Sequence, residues 1–407
     1  MPSVAFVAPF FLETTLRFVE AVADLPGVRL GLISQDAAAK LPRELAAKLA
    51  AHRRIDDGLD PQQIADAVRA LARELGPIHR LLGALEQLQV PLGEVRDRLS
   101  IEGMGAEAAK NFRDKARMKT VLAAAGVPCA RHRRVTDPRE AWEFAQTVGF
   151  PLVLKPAAGA GAKSTYRVND ARELDEALAA SRPSPERQAI VEEFVVGEEF
   201  SFDTVSIRGK AVWHSLTHYL PPPLHVVENP WIQWSVLLPR EVDHPRYDDI
   251  RRVAFRALEV LGMDTGLSHM EWFRRKDGGV MISEVGARPP GAQIVSLISW
   301  AHGIDFYKSW ARLVVSEEFT PPERRYAAGI AYLRGQGQGA RVARVVGVEE
   351  AQRELGGLVV ESKLPVAGQA HSTSYEGDGF VILRHPETAV VEKGLKRLVT
   401  LVRVELE

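Results

Sequence analysis

The chain has 407 residues, 46% hydrophobic and 26% charged, with a formal net charge of −1. This is an ordinary globular composition, long enough for two or three domains, and without a basic stripe or a lysine- and arginine-rich tail it excludes nucleic acid and an anionic membrane surface as expected partners. The single cysteine, Cys129, excludes an internal disulfide and a multi-cysteine metal site, suits a reducing cytoplasmic setting, and after Val127-Pro128 reads as a small hydrophobe.

Met1 to Val7 lacks a basic leader ahead of a long apolar run, and no segment approaches roughly 18 consecutive apolar residues, so neither secretion nor a membrane span is expected. Residues 1–110 alternate apolar runs (Val4–Ala8, Arg29–Ser34, Ile78–Gly83) with helical patterns (Leu12–Ala23, Pro42–Ala51, Pro61–Leu75). That alternation predicts a Rossmann-like α/β unit, a parallel sheet with flanking helices. The dinucleotide fingerprint is absent, because Ala8 is followed by Pro9-Phe10-Phe11, so NAD is not expected there.

A helix is predicted from Asn111 to Ala125, closed by Gly126 with Pro128 beyond. Lys115 and Lys119 lie one turn apart on one face; taken alone they read as solvated charges. The run from Phe150 to Val168 reads as strand, small-residue loop, strand, with Lys155 ending the first strand and Gly159, Gly161 and Ser164 in the loop. A cation beside such a loop suits phosphate oxygens held by backbone amides. It is not a Walker A loop, which needs glycine where Ala157 and Ala162 stand and a helix where Thr165–Val168 reads as strand. Without Lys155 a plain hairpin would be the better reading.

Gln188–Asp203 reads as a buried strand ending in acids, then Gly197, then a second strand. A strand edge offers an adenine ring donors and acceptors while a later carboxylate accepts from ribose hydroxyls, which singles out Glu192, Glu193, Val195 and Glu199. Val212–Trp234, rich in aromatics, histidine and proline, reads either as a loop shaping a substrate pocket or as a proline-stiffened surface loop.

Met270–Phe273 and Val280–Val285 read as strands joined by the turn Lys276-Asp277-Gly278-Gly279. Paired that way, Glu271 and Glu284 face one side, and two carboxylates with phosphate oxygens suffice for magnesium. Arg288, four residues on, can grip a phosphoryl or carboxylate oxygen with its planar fork. His269 reads as a packing or supporting residue with no obvious partner. Ala292 leaves room for a bulky substrate; an Ala292→Trp variant that used large substrates undiminished would overturn that. From Pro321-Pro322, strands at Ala327–Leu333 and Phe380–Leu383, the glycine-rich Gly335–Gly339 and a helix Thr388–Leu398 mark a final unit.

Taken in order, Asp114-Lys115, Lys119, Gly126-Val127-Pro128, Lys155 with its loop, Val191–Val195 with Gly197–Glu199, then Glu271, Glu284 and Arg288 resemble the ATP-grasp superfamily of ADP-forming carboxylate ligases. The resemblance covers roughly residues 105–315 and implies a Rossmann-like pre-ATP-grasp domain (1–110), an α+β ATP-grasp domain (111–320) with a mobile lid at about 125–195, and a C-terminal α+β domain (321–407). It implies ATP and magnesium, with manganese as an alternative. Lys155, aided by Lys115 or Lys119, would meet the phosphates; Glu192 would face the adenine amino group, Glu193 and Val195 would offer main-chain groups to the ring, and Glu199 would bind ribose. Glu271 and Glu284 would hold the metal, and Lys155 and Arg288 would stabilise the transferred phosphoryl group.

Many members carry asparagine two residues after the second glutamate, where this chain has Gly286. The dipeptide-ligase branch also tends to lack it and shows a His-x-Glu that His269-Met270-Glu271 matches. The expected activity is therefore a ligase joining a carboxylate to an amine, one of them an amino acid, with a homodimer among the family's arrangements. A carboxylase or purine-biosynthesis ligase on the same fold, and an ATP-binding protein without turnover, are the alternatives.

Overall fold

The computed structural model describes residues 2–158, 164–229 and 231–407. Strands β1 (Ser3–Val7), β2 (Arg29–Ser34), β3 (Ala51–Arg54) and β4 (Ile78–Leu82) form a parallel sheet in the order β3-β2-β1-β4. The apolar β1 is buried along its whole length, as a central parallel strand covered on both faces must be. The helix expected over 42–51 spans only Arg43–Lys48, and Ala51 opens β3. Pairing with Gly31–Ser34 supplies that edge strand's hydrogen bonds, a long-range gain that the polar run His52-Arg53-Arg54 does not advertise.

The helix expected from Asn111 to Ala125 is two helices. Ala106–Arg113 ends at Asp114, whose backbone is extended (φ −95°, ψ 106°) and whose carboxylate accepts from the Ala116 and Arg117 N–H groups to start the helix Lys115–Ala124. Aspartate caps a helix start better than it sits in a helix interior. The break places Lys115 at the first turn of the new helix.

A second body follows. Strands β5 (His132–Val135), β6 (Leu152–Pro156), β7 (Tyr166–Val168) and β8 (Ala189–Glu193) form an antiparallel sheet ordered β5-β8-β6-β7. With the helices Pro138–Val148 and Ala171–Ser181 they enclose a core of their own, including Phe144, Leu152, Leu154 and Leu174. This body falls within residues 125–195, where the resemblance implies a lid.

The remaining strands are β9 (Gly197–Ile207), β10 (Lys210–Leu220), β11 (Trp234–Leu238), β12 (Gly266–Arg275), β13 (Val280–Gly286), β14 (Ala327–Leu333), β15 (Gly335–Gln336), β16 (Val342–Val346), β17 (Val359–Lys363), β18 (Gly379–His385) and β19 (Arg403–Leu406). An eight-stranded sheet runs β13-β12-β9-β10-β11-β14-β18-β17, and a small sheet runs β15-β19-β16. Residues 321–407 thus contribute three strands to the central sheet and are continuous with it. The N-terminal unit is seated on the helices Ile294–His302 and Phe306–Ser316, where the Phe18 ring lies 4.9 Å from Tyr307 and 4.8 Å from Trp310. Among the described residues no helix is long and apolar enough to cross a membrane.

Candidate active site

The β12–β13 hairpin sets the geometry. Gly278 at φ 85° makes the turn, with its N–H on the Arg275 carbonyl and the Arg275 N–H on Gly279, so Glu271 and Glu284 stand directly opposite one another. Cross-strand partners project to the same face, and both line a cavity of about 620 Å³ shared by the N-terminal unit, the β5–β8 body and the central sheet. Burial and then the neighbouring Glu284 charge raise the Glu271 carboxyl above its ordinary value. Glu284 goes the other way: burial works upward, but Lys115, 2.7 Å away, and Lys155 hold it ionised.

Lys115 and Lys119, which read alone as solvated charges, are 6% and 1% exposed. Lys119 Nζ lies 2.9 Å from Glu192 Oε2, and Lys155 Nζ pairs with the other oxygen of the same carboxylate. Burial would push Glu192 up, yet the two lysines overrule it and hold it down to about 2. Burial likewise opposes the Lys155 charge, but Glu192, Glu284 and Glu271 together raise its pKa above the ordinary lysine value. Glu192 therefore bridges two phosphate-binding candidates; the resemblance implies the adenine amino group as its partner. The Lys115 N–H donates to the Ala157 carbonyl at 2.9 Å, and Arg134 clasps Asp114 at 2.7 and 2.8 Å. Those bonds tie the lysine helix to β5 and to the segment after β6.

Gly159 and Gly161 lie outside the described residues. Ser164 is exposed, with a left-handed backbone (φ 55°), and does not line the cavity. All the other described nucleotide and metal candidates do.

The strand edge beyond β8 is open. The Glu193 N–H donates to the Arg131 carbonyl, but the Arg131 N–H turns to the Glu193 side chain (2.9 Å), so among the described residues the Glu193 carbonyl accepts no backbone bond. Nor does the Val195 N–H donate one. A carbonyl and an N–H two residues apart match an amino-substituted ring nitrogen; the Glu193 N–H itself is already spent. Gly197 is required just beyond, since a Cβ there would sit 2.5 Å from the Arg274 carbonyl.

Burial, then the like charge of Glu271, pushes the Glu199 carboxyl up to about 8. The folded chain thus keeps a proton that the unfolded chain loses near pH 4.5, so stability falls as pH rises between those values and the loss is complete above about 8. In EDTA, the melting temperature should drop from pH 6 to pH 9, and Glu199→Gln should flatten that drop. Equal drops in both proteins would refute it.

Arg288 reaches out of the hairpin to the N-terminal unit. Its Nε and Nη2 donate to Glu86 Oε2 at 3.0 and 2.8 Å, and Arg113 meets the other oxygen at 3.2 Å. Glu86, just after β4, carries no sequence signal that links it to Arg288. His269 has the partner it lacked in the sequence: Nδ1 lies 2.7 Å from Asp203 Oδ1 on the neighbouring strand β9, leaving Nε2 toward Tyr219. The segment 212–234 divides. Its first half is β10, with Trp213 in the core against Phe306, and Pro222, the helix Pro223–Glu228 and Trp234 line the cavity with Ala292.

Among the described residues no three His, Cys, Asp or Glu side chains converge as a complete metal shell. The Glu271–Glu284 pair fits a hard divalent ion that takes its other ligands from phosphate and water. Gly286 adds no donor, although a Cβ there would make only ordinary contact with Arg288, 3.5 Å away.

Residues 120–300 match the family model described as the ATP-grasp domain. The chain is 24% identical over 293 residues to an L-arginine-specific L-amino acid ligase of Bacillus subtilis, covering 71% of this chain and 70% of that one. It is 29% identical over 249 residues to the protein y4rH of Sinorhizobium fredii, and there it spans 60% of itself and only half of that relative. The crystal structure of an L-amino acid ligase from Bacillus licheniformis superposes with a TM-score of 0.79 over 100% of this chain and 99% of that one, at 19% identity. That last likeness is one of fold.

Proposed function

Building on the ATP-grasp domain of residues 120–300, we propose that this chain is an ATP-dependent, ADP-forming ligase that activates a carboxylate as an acyl-phosphate and joins it to an amine, with an amino acid as one substrate. One observation carries the reading: Lys115, Lys119 and Lys155 converge with Glu271, Glu284 and Arg288 on one cavity, beside an open strand edge at Glu193 and Val195. A nucleotide-binding protein without turnover needs the edge and the lysines. It does not need a guanidinium held by Glu86 within the field of Glu284.

In the proposed reaction a substrate carboxylate oxygen attacks the γ-phosphorus of ATP, the bond to the bridging oxygen breaks, and ADP leaves. The amine nitrogen then attacks the acyl carbon, phosphate departs with the carbonyl–oxygen bond, and the nitrogen gives up its proton. Magnesium, held by Glu271 and Glu284, would neutralise charge on the phosphate oxygens. Lys155 and Lys119, oriented by Glu192, exchange that carboxylate for phosphate oxygens when the nucleotide enters. Arg288 presents its fork to the transferred phosphoryl group. Since phosphoryl transfer asks mainly for positioning and fixed charge, this prearranged cage is the catalytic contribution of the chain. The cytoplasm, rich in ATP and reducing toward the lone Cys129 thiol, is the proposed compartment.

The test is ADP release in a coupled assay with magnesium, ATP and a pool of the proteinogenic amino acids. Wild type should release ADP only when the pool is present, and Glu284→Ala should slow it about 100-fold or more. ADP release that ignores the pool, or a fully active variant, would end the reading.

A further inference from the structure

Among the described residues eight carboxylates line the cavity; four are matched, and Glu228 is exposed. Glu86 is held by Arg288 and Arg113, Glu192 by Lys119 and Lys155, Glu193 by Arg131, and Glu284 by Lys115. Three half-buried ones have no cation within 4.0 Å among the described residues: Glu199, Glu271 and Glu376. The first two belong to the proposed ribose and metal positions. Glu376 is left over, at the Ala292–Gln293 end; burial raises its carboxyl above the ordinary value, against the Ala292 backbone and the Gln293 side chain.

The turn that carries Glu376 is held firmly. Buried Asp378 accepts from the Ser372 N–H at 2.7 Å and the Gly335 N–H at 2.8 Å, and donates its own N–H to Leu333. Gly377 at φ 72° closes the bend; a Cβ there would come 2.6 Å from the Leu333 carbonyl. Trp234 Nε1 fixes the Tyr375 carbonyl at 2.6 Å. A carboxylate placed this rigidly in a half-buried wall, with only neutral groups for company, is completed by a cation.

Building on the ligase reading, we propose that Glu376 recognises the side-chain cation of a basic amino acid substrate, a guanidinium or an ammonium. An α-ammonium sits one carbon from the reacting carboxyl and so belongs near Arg288 and the metal pair. Glu376 lines the cavity together with Ala292 and Gln293, past Arg288 and Gly291 along the chain. That part of the wall suits the far end of a long side chain, which the small Ala292 leaves room to pass.

Calorimetry on the full chain, with magnesium and the non-hydrolysable imido analogue of ATP, tests this with L-arginine, L-lysine, L-alanine and L-glutamate. Wild type should bind L-arginine or L-lysine about tenfold or more tighter than L-alanine, the scale of a hydrogen bond to a charged group. The isosteric Glu376→Gln should erase that preference, and Glu376→Lys should shift it to L-glutamate; should the lysine variant not fold, the glutamine variant decides. No preference for the basic amino acids in wild type, or equal weakening of L-alanine and L-arginine by Glu376→Gln, overturns the proposal. Basic amino acids bound through Glu376 without any ADP release would instead sink the ligase reading and leave this site standing.

Discussion

Lys155→Met is expected to lower amino-acid-dependent ADP formation by about 100-fold or more, the effect of deleting one prearranged charge at a developing anion, while leaving the chain folded. The fold should survive because Glu192 keeps Lys119 at 2.9 Å and is not stranded as a bare buried charge. The loss should fall on both the apparent affinity for ATP and the turnover number, since Lys155 lies within the field of Glu192, Glu284 and Glu271 and so stands where the phosphates and the metal meet. Steady-state kinetics against ATP, with circular dichroism as the folding control, measure it. A variant within threefold of wild type would remove Lys155 from the proposed site and leave Lys115 and Lys119 to carry the phosphates.

The second large effect separates charge from shape. Arg288→Lys keeps a cation, but an ammonium cannot reproduce a planar fork that donates through Nε and Nη2 to Glu86 and through Nη1 to the Pro289 carbonyl. Turnover should fall about 100-fold with nucleotide affinity unchanged, because the nucleotide edge at Glu193 and Val195 lies on the other body. Glu86→Gln should give a smaller loss of the same kind, since it frees the guanidinium without removing it. Binding of a fluorescent ATP analogue beside ADP release reads the split. If Arg288→Lys weakens nucleotide binding and spares turnover, Arg288 holds the nucleotide and not the transferred group.

The hairpin was legible because everything it needs is local. Alternation through Met270–Phe273 and Val280–Val285, with the Asp277-Gly278-Gly279 turn between, sets both the pairing and the face, and Glu271 stands opposite Glu284 as that pattern requires. The strand ending in Lys155 and the strand leading to Glu193 were legible for the same reason. Lys115 and Lys119 were legible as a pair one turn apart, but not as buried: their burial comes from the Asp114 break and from Glu284 and Glu192, the former 169 residues away from Lys115 in sequence.

By itself, then, the sequence determined the parallel N-terminal sheet, the carboxylate hairpin, the lysine at the end of its strand and the order of the motifs, because strand alternation, helical periodicity and turn chemistry act over a few residues. Only the tertiary structure decided which side chains meet. Arg288 finds Glu86 across 202 residues, His269 finds Asp203 across 66, and β14, β17 and β18 extend the central sheet. Glu376, on a turn with no chemical signature of its own, is carried to the cavity wall by Asp378 and Trp234. Such pairings depend on how sheets stack and where backbones cross, and a chain of residue identities records no distance between segments.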